Sequence, residues 1–228
     1  MAIYVVGDTH SDYDWSKLNT VQFPEQKRLT RADYVIVLGD WGGVWDGGKQ
    51  DKYVQDWYES KRFTTLWIDG NHENFDELAR YPVEQWNGGK VQFIRPNIIH
   101  LMRGQVYTIE GKTFFTMGGA PSVDRAHRRE HVSWWAQEMP TNEEFYEGFR
   151  NLDSVDNKVD FVLTHTAPIE AAKYGIGAYW VEPDAVNQYL QVVSETVEYK
   201  DWYFGHWYTD IDFLNFHGRY RLAPERIA

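Results

Sequence analysis

Five short stretches of the chain bring a carboxylate, an imidazole or an amide oxygen to the end of an apolar run. They are Gly7-Asp8-Thr9-His10, Gly39-Asp40, Gly70-Asn71-His72-Glu73, Thr164-His165 and Gly205-His206. In four of the five a glycine stands directly before the polar group, where a backbone turns sharply. Asp, His and Asn without sulfur make a hard-to-borderline donor set. It suits Mn²⁺, Fe or Zn²⁺ better than Cu(I), and imidazole argues against Mg²⁺ or Ca²⁺ alone. Six such groups exceed what one open catalytic ion takes from protein, but they suffice for two ions sharing a carboxylate. Two ions roughly 3.5–4 Å apart can clamp the attacking and leaving oxygens of an in-line displacement. Each group also has a plain structural reading. Asp8 and Asp40 could cap helices, Asn71 could hold a left-handed turn after Gly70, and the histidines could simply be satisfied at sheet ends. Each of those readings needs its own coincidence.

The runs that carry these groups read as strands. Ile3–Val6, Tyr34–Leu38, Leu66–Ile68, Phe161–Leu163 and Trp202–Phe204 are strand-length and rich in β-branched or aromatic residues. Thr113–Met117 is another, ending at Gly118-Gly119. Helical patterns fall between them. In 51–61, Tyr53, Trp57 and Lys61 define one face with Val54 and Tyr58 beside it. Thr141 and Glu144 have capping-box spacing, with Phe145, Phe149 and Leu152 following, and Val186, Leu190 and Val193 repeat that periodicity. Strands alternating with helices imply an α/β fold, and open α/β sheets bind ligands beyond the carboxyl ends of their strands. The tail reads as a β-hairpin, Ile211–Phe216 and Arg219–Leu222 about a His217-Gly218 turn. With no repeat, low-complexity tract or linker, residues 1–228 read as a single domain.

Composition narrows the choices. The 228 residues carry a formal charge of −11, are 43% hydrophobic and include no cysteine. Such a chain has ample core, so global disorder is excluded. Disulfides, thiolate metal sites and cysteine nucleophiles are excluded too, and a reducing cytoplasm is the expected compartment. No basic leader or run of roughly 18 apolar residues is present, so neither export nor a membrane partner is expected. The acidic balance argues against extended nucleic acid as a partner. It leaves room for an anionic substrate in a local site.

The ordered set Asp8-x-His10, Gly39-Asp40, Gly70-Asn71-His72-Glu73, His165 and Gly205-His206 spans residues 7–206. It resembles the calcineurin-like metallophosphoesterases, in a bacterial and phage subgroup related to the Ser/Thr protein phosphatases. The resemblance implies an αββα sandwich, two mixed β-sheets flanked by helices, with a dinuclear metal site at the strand carboxyl ends. Asp8 and His10 would bind a first ion, Asp40 would bridge, and Asn71, His165 and His206 would bind a second. Mn is the expected metal, with Fe or Zn as alternatives. The nucleophile would be a hydroxide bridging the two ions, and His72 would act as general acid rather than ligand. Many members carry Gly-His-x-His in the last motif, its second His on the first ion; Tyr208 stands there in this chain. The phosphatase branch has Asp and Arg soon after the bridging aspartate. Here Trp41 to Asp46 follow instead, leaving Asp46 as a candidate partner for His72.

A segment from Gly118-Gly119-Ala120 through Asp124-Arg125 to Ser133-Trp134-Trp135 is similar to one in the same subgroup. It concentrates positive charge, and Arg forks match phosphate oxygens. Arg125 first, and Arg129 second, are therefore expected to contact substrate, with a solvated charged face as the alternative. His127 and His131 would share a face if that segment were helical. His100 and His217 read as structural, the latter in the hairpin turn. Trp41, Trp207 and Tyr208 flank expected ligands and could wall a pocket. The resulting expectation is a metal-dependent phosphoesterase, most simply a phosphomonoesterase acting on a small molecule or phosphoprotein. A phosphodiesterase or nuclease on the same scaffold competes with it, as does a non-catalytic binding module.

Overall fold

Along the first strand Ile3 and Val5 point to one face and Tyr4 and Val6 to the other, and all four are buried. A strand buried on both faces belongs inside a layered structure. The computed structural model, which describes residues 1–228, shows that arrangement. In chain order the elements are β1 (Ile3–Val6), β2 (Tyr34–Val37), α1 (Lys49–Glu59), β3 (Thr64–Trp67), α2 (Phe75–Leu78), β4 (Val83–Trp86), β5 (Gly89–Arg95) and β6 (Ile98–Leu101). Then come β7 (Gln105–Ile109), β8 (Lys112–Met117), α3 (Asn142–Asp153), β9 (Phe161–Thr164), α4 (Ala185–Thr196), β10 (Asp201–Phe204), β11 (Ile211–Phe213), β12 (Phe216–Gly218) and β13 (Glu225–Arg226).

They form two mixed sheets, β13-β1-β2-β3-β6-β5-β4 and β11-β12-β10-β9-β8-β7. Ile3, Val5, Ile36, Leu66 and Ile68 of the first sheet meet Phe114, Phe161, Leu163 and Tyr203 of the second in a core between the sheets. The opposite face of the first sheet, with Tyr4, Val6, Val35 and Val37, packs on Val54 and Tyr58 of α1. The outer face of the second, with Phe115, Val162 and Trp202, packs on Leu152 of α3 and on Val186, Leu190 and Val193 of α4. This is the αββα sandwich. No helix is long and apolar enough to cross a membrane.

Strands β1, β2, β3 and β6 pair in parallel. So do β8, β9, β10 and β12. Parallel pairing in register puts the carboxyl ends of β1, β2 and β3, and of β9 and β10, along one rim. Five of the chemistry-bearing motifs therefore leave the sheets together.

Several details differ from expectation. The buried stripe of α1 is Val54 and Tyr58, whereas Tyr53 is 53% exposed. The C-terminal hairpin is present, but it turns at Leu214-Asn215, with Leu214 at φ 53°. His217 lies within β12, opposite Asp212, rather than in the turn. Arg219–Leu222 forms no strand. A turn that places leucine where glycine is usual leaves no glycine signal to find. The segment after Gly119 is irregular apart from two short 3-10 turns, so His127 and His131 share no helical face, and His131 instead bonds Asp76 at 2.8 Å.

Candidate metal centre

Glycines let the strand ends of both sheets close in on one another along the rim. A Cβ on Gly70 would lie 2.1 Å from Asp40 Oδ1, one on Gly39 2.0 Å from His165 Nδ1, and one on Gly205 2.0 Å from Asp8 Oδ1. These three glycines each make room for another motif's polar side chain, whereas Gly7 makes room for the Arg219 carbonyl. Four non-glycine residues of the site, His10, Asp40, His206 and Tyr208, take φ values of 43°, 47°, 65° and 50°. Such left-handed backbone costs of order 1 kcal/mol or more per residue and survives where surrounding structure imposes it.

Asp8, His165 and Asn71 are buried, and Asp40 lies buried at the centre. Its Oδ2 is 3.3 Å from His10 Nε2, and its Oδ1 is 3.5 Å from His165 Nε2. His165 Nε2 also lies 3.1 Å from Asn71 Oδ1, and its Nδ1 is 3.8 Å from Asp8 Oδ1. Two groups of donors converge within 4.8 Å, His10–Asp40–His72 and Asp8–Asp40–His165, and Asp40 belongs to both. His206 stands outside these trios, its ring 5.0 Å from that of His165, and its backbone N–H donates to Asp8 Oδ2 at 3.1 Å.

Further contacts set which atoms face inward. His165 Nδ1 lies 2.8 Å from the Leu38 carbonyl, the arrangement in which that nitrogen donates and Nε2 turns its lone pair toward Asp40. His10 Nδ1 lies 2.8 Å from Asp14 Oδ2, with the same consequence at its Nε2. Asp14 was not anticipated; its signal is a carboxylate four residues after His10 on a tight turn. The buried Lys17 was not anticipated either. Its ammonium donates at 2.5 Å to the carbonyls of Asp8 and of Tyr220, tying the C-terminal segment beneath the site. Glu73 accepts from the Trp41 amide at 2.8 Å and clamps the loop after β2 to the loop after β3. Burial, reinforced by Asp40, holds its carboxyl well above the usual range.

The electrostatics call for a cation. Burial raises the Asp8 carboxyl, and the neighbouring Asp40 raises it further. Burial alone would depress the His165 imidazole, yet Asp40 and Asp8 hold it up at about 10. Two buried carboxylates favour positive charge beside them, which a proton on His165 or a bound cation in its place would supply. Burial pushes His206 down to about 3, with His165 adding to the effect, so it is a neutral donor. Oxygen and imidazole donors, with no sulfur, fit divalent Mn, Fe or Zn.

His72 sits on the rim, its backbone N–H donating to Asp40 Oδ1 at 2.8 Å. Its expected partner Asp46 is elsewhere, accepting from the amides of Gly48 and Asp51 at the start of α1. A negative side chain followed by helix amides is a cap, and the amides outcompete a distant imidazole. The group against His72 Nδ1 is instead Arg128, at 3.2 Å. Arg128 is fixed by Asp124 at 2.7 Å and by the Ser133 carbonyl at 3.0 Å. Burial lowers the His72 pKa and Arg128 pushes the same way. Arg125 and Arg129 are exposed and point to no site residue. The charged segment does reach the site, but through a different arginine. The Tyr208 ring stacks on His10, centroids 5.8 Å apart and nearly parallel, with its hydroxyl 3.4 Å from His10 Nε2. Trp41 is fully buried in the core, and Trp207 bonds Thr166 at 3.1 Å. Of the three expected wall residues, Tyr208 alone lines the adjoining cleft.

A sandwich of this topology with Asp, His and Asn on its common rim defines the calcineurin-like phosphoesterase family. The chain belongs to it: the family model matches residues 1–219. The chain is similar to lariat debranching enzyme A of Xenopus laevis, 26% identical over 196 residues, covering 77% of this chain and 34% of that enzyme. A crystal structure assigned as a 5′-nucleotidase from Staphylococcus aureus, in complex with α-ketoglutarate, shares the fold. Its TM-score is 0.51 at 16% identity, covering 96% of this chain and 48% of that one. The chain thus spans about a third of the first relative and about half of the second.

Proposed function

We propose that residues 1–228 act as one domain that hydrolyses a phosphate monoester at a dinuclear metal centre. Asp8 and His10 would hold one ion, Asn71, His165 and His206 the other, and Asp40 both. The observation that carries this reading is the position of Asp40, shared between two convergent donor groups, in which Asp8 stands with His165 and His72 with His10. Two divalent ions there, Mn first in expectation, would polarise the phosphoryl oxygens and acidify the attacking water. The chain's own residues do the rest. Asp14 and the Leu38 carbonyl aim His10 and His165. Arg128 grips phosphoryl oxygens beside His72, the role expected of Arg125. His72 delivers a proton to the leaving oxygen. A bound phosphate dianion would draw Arg128 from the imidazole and raise its pKa toward the working range.

A full positive charge on Arg128 suits the dianion of a monoester better than the single charge of a diester. The likeness to a lariat debranching enzyme favours a phosphodiester as the second reading. Paired assays of 4-nitrophenyl phosphate and bis(4-nitrophenyl) phosphate with added Mn²⁺ decide between them. The monoester should be the faster substrate, and a marked preference for the diester promotes the alternative. Turnover of neither, with no metal held, would support a non-catalytic binding module.

A further inference from the structure

A cleft of about 780 Å³ opens beside the metal centre, with His10 and His72 at its edge. Its walls combine features the phosphoryl chemistry does not require. Three aromatic rings line it, those of Tyr13, Trp45 and Tyr208. Tyr13 is 85% exposed, and its backbone N–H bonds the His10 carbonyl at 3.1 Å, which keeps this stretch of chain beside the site. The Trp45 ring is braced edge-on by Trp135 at 5.3 Å. Tyr208 is fixed by its stack on His10 and an edge contact with Tyr220 at 5.0 Å. Two braced rings and one exposed ring around open space are stacking surfaces rather than core.

The charge of the cleft is equally uneven. No lysine or arginine lines it, whereas Asp12 and Asp14 do. Asp14 is engaged by His10, and Asp12 is exposed. The one arginine at the site, Arg128, lies against His72 and does not line this cleft. The phosphoryl group therefore has its cationic partners at the metal centre and Arg128. Whatever leaves through the cleft meets aromatic faces and negative charge.

We infer that this cleft receives the alcohol part of the ester, and that the alcohol carries a flat ring and no second anion, as a nucleoside does. The inference rests on the phosphomonoesterase reading and names its substrate class. Adenosine 5′-monophosphate and glycerol phosphate both release a primary alcohol, so their chemical steps are matched and the comparison reads recognition of the leaving group. With Mn²⁺ present, kcat/KM for the nucleotide should exceed that for glycerol phosphate by roughly tenfold or more, the scale of one base stacked on aromatic side chains. Adenosine 3′,5′-bisphosphate should fall below the monophosphate by about threefold, the scale of a surface charge pair. Tyr13→Ala should shrink the preference over glycerol phosphate severalfold, and Asp12→Lys should reverse the penalty on the second phosphate. Both positions are exposed, so neither change threatens the fold. Turnover of all three esters without preference, or a preference untouched by Tyr13→Ala, overturns the inference alone. No turnover of any ester by metal-loaded protein overturns the phosphomonoesterase reading as well.

Discussion

At the scale of single residues, the site divides into groups placed to hold ions and groups placed to handle substrate. His72→Ala removes the proposed proton donor and no proposed ligand. It should retain the metal content of the parent by elemental analysis and lose about 10²- to 10⁴-fold in turnover of an unactivated ester. Unchanged turnover would mean the acid lies elsewhere. Arg128→Ala should lower kcat/KM by about 10- to 100-fold, the scale of a charge-assisted hydrogen bond, and by far more than Arg125→Ala or Arg129→Ala. Equal effects of the three would return the charged segment to the status of a solvated face. The strand-end positions of Asp8, His10 and Asp40 were legible in the sequence because each follows an apolar run that could hardly be anything but a strand. Arg128 was not. Which of three neighbouring arginines turns inward depends on the irregular backbone of 125–128 and on Asp124 and Ser133, which no periodicity encodes.

The elements matter because they set where strand ends meet. A methyl group at Gly70 would lie 2.1 Å from Asp40 Oδ1, far inside contact distance. Gly70→Ala should displace that carboxylate and cost metal binding while the sheets survive. Retention of the parent's metal content by this variant would contradict the interlock. Beneath the same loops, Arg103 pairs with Asp69 at 2.5 Å, and both are buried. Arg103 holds the Asp69 carboxyl at about 2 against the effect of burial. Arg103→Met leaves that carboxylate with His100, at 3.2 Å, as its one remaining side-chain partner and should cost about 3 kcal/mol in denaturant unfolding. A loss under 1 kcal/mol would show that the pair does not brace the rim. β1, β2, β3, β8 and β10 were legible from β-branched and aromatic runs leading into glycine, and β9 from a like run ending at Thr164-His165, whereas β6 and β12, also parallel, were not. The antiparallel ones were less so. β4 reads Val-Glu-Gln-Trp, with little apolar character, yet the Asn87-Gly88 turn behind it, at φ 49° and 98°, is the strongest short hairpin signal available. Glu110-Gly111, at φ 52° and 72°, closes β7 on β8 in the same way. The information was present in two turns rather than in the strands.

For the whole molecule, the charge of −11 takes on a different meaning. It still opposes broad coating of nucleic acid. But Asp8 and Asp40 are buried side by side where cations would sit, so part of the negative charge belongs to the site rather than to the surface. Ions that bind only the folded chain stabilise it by mass action, about 2.7 kcal/mol at a hundredfold excess over Kd. The central claim, that one shared aspartate joins two ions into a hydrolytic centre, is tested most directly by titrating chelator-stripped protein with Mn²⁺. Bound metal, the thermal midpoint and phosphomonoester turnover are followed in the same samples. We expect about two ions per chain, a rising midpoint, and turnover that appears only as the second ion binds. Asp40→Asn should lose the second ion and the turnover together. Full turnover in excess chelator, or two ions still held by Asp40→Asn, would contradict the account.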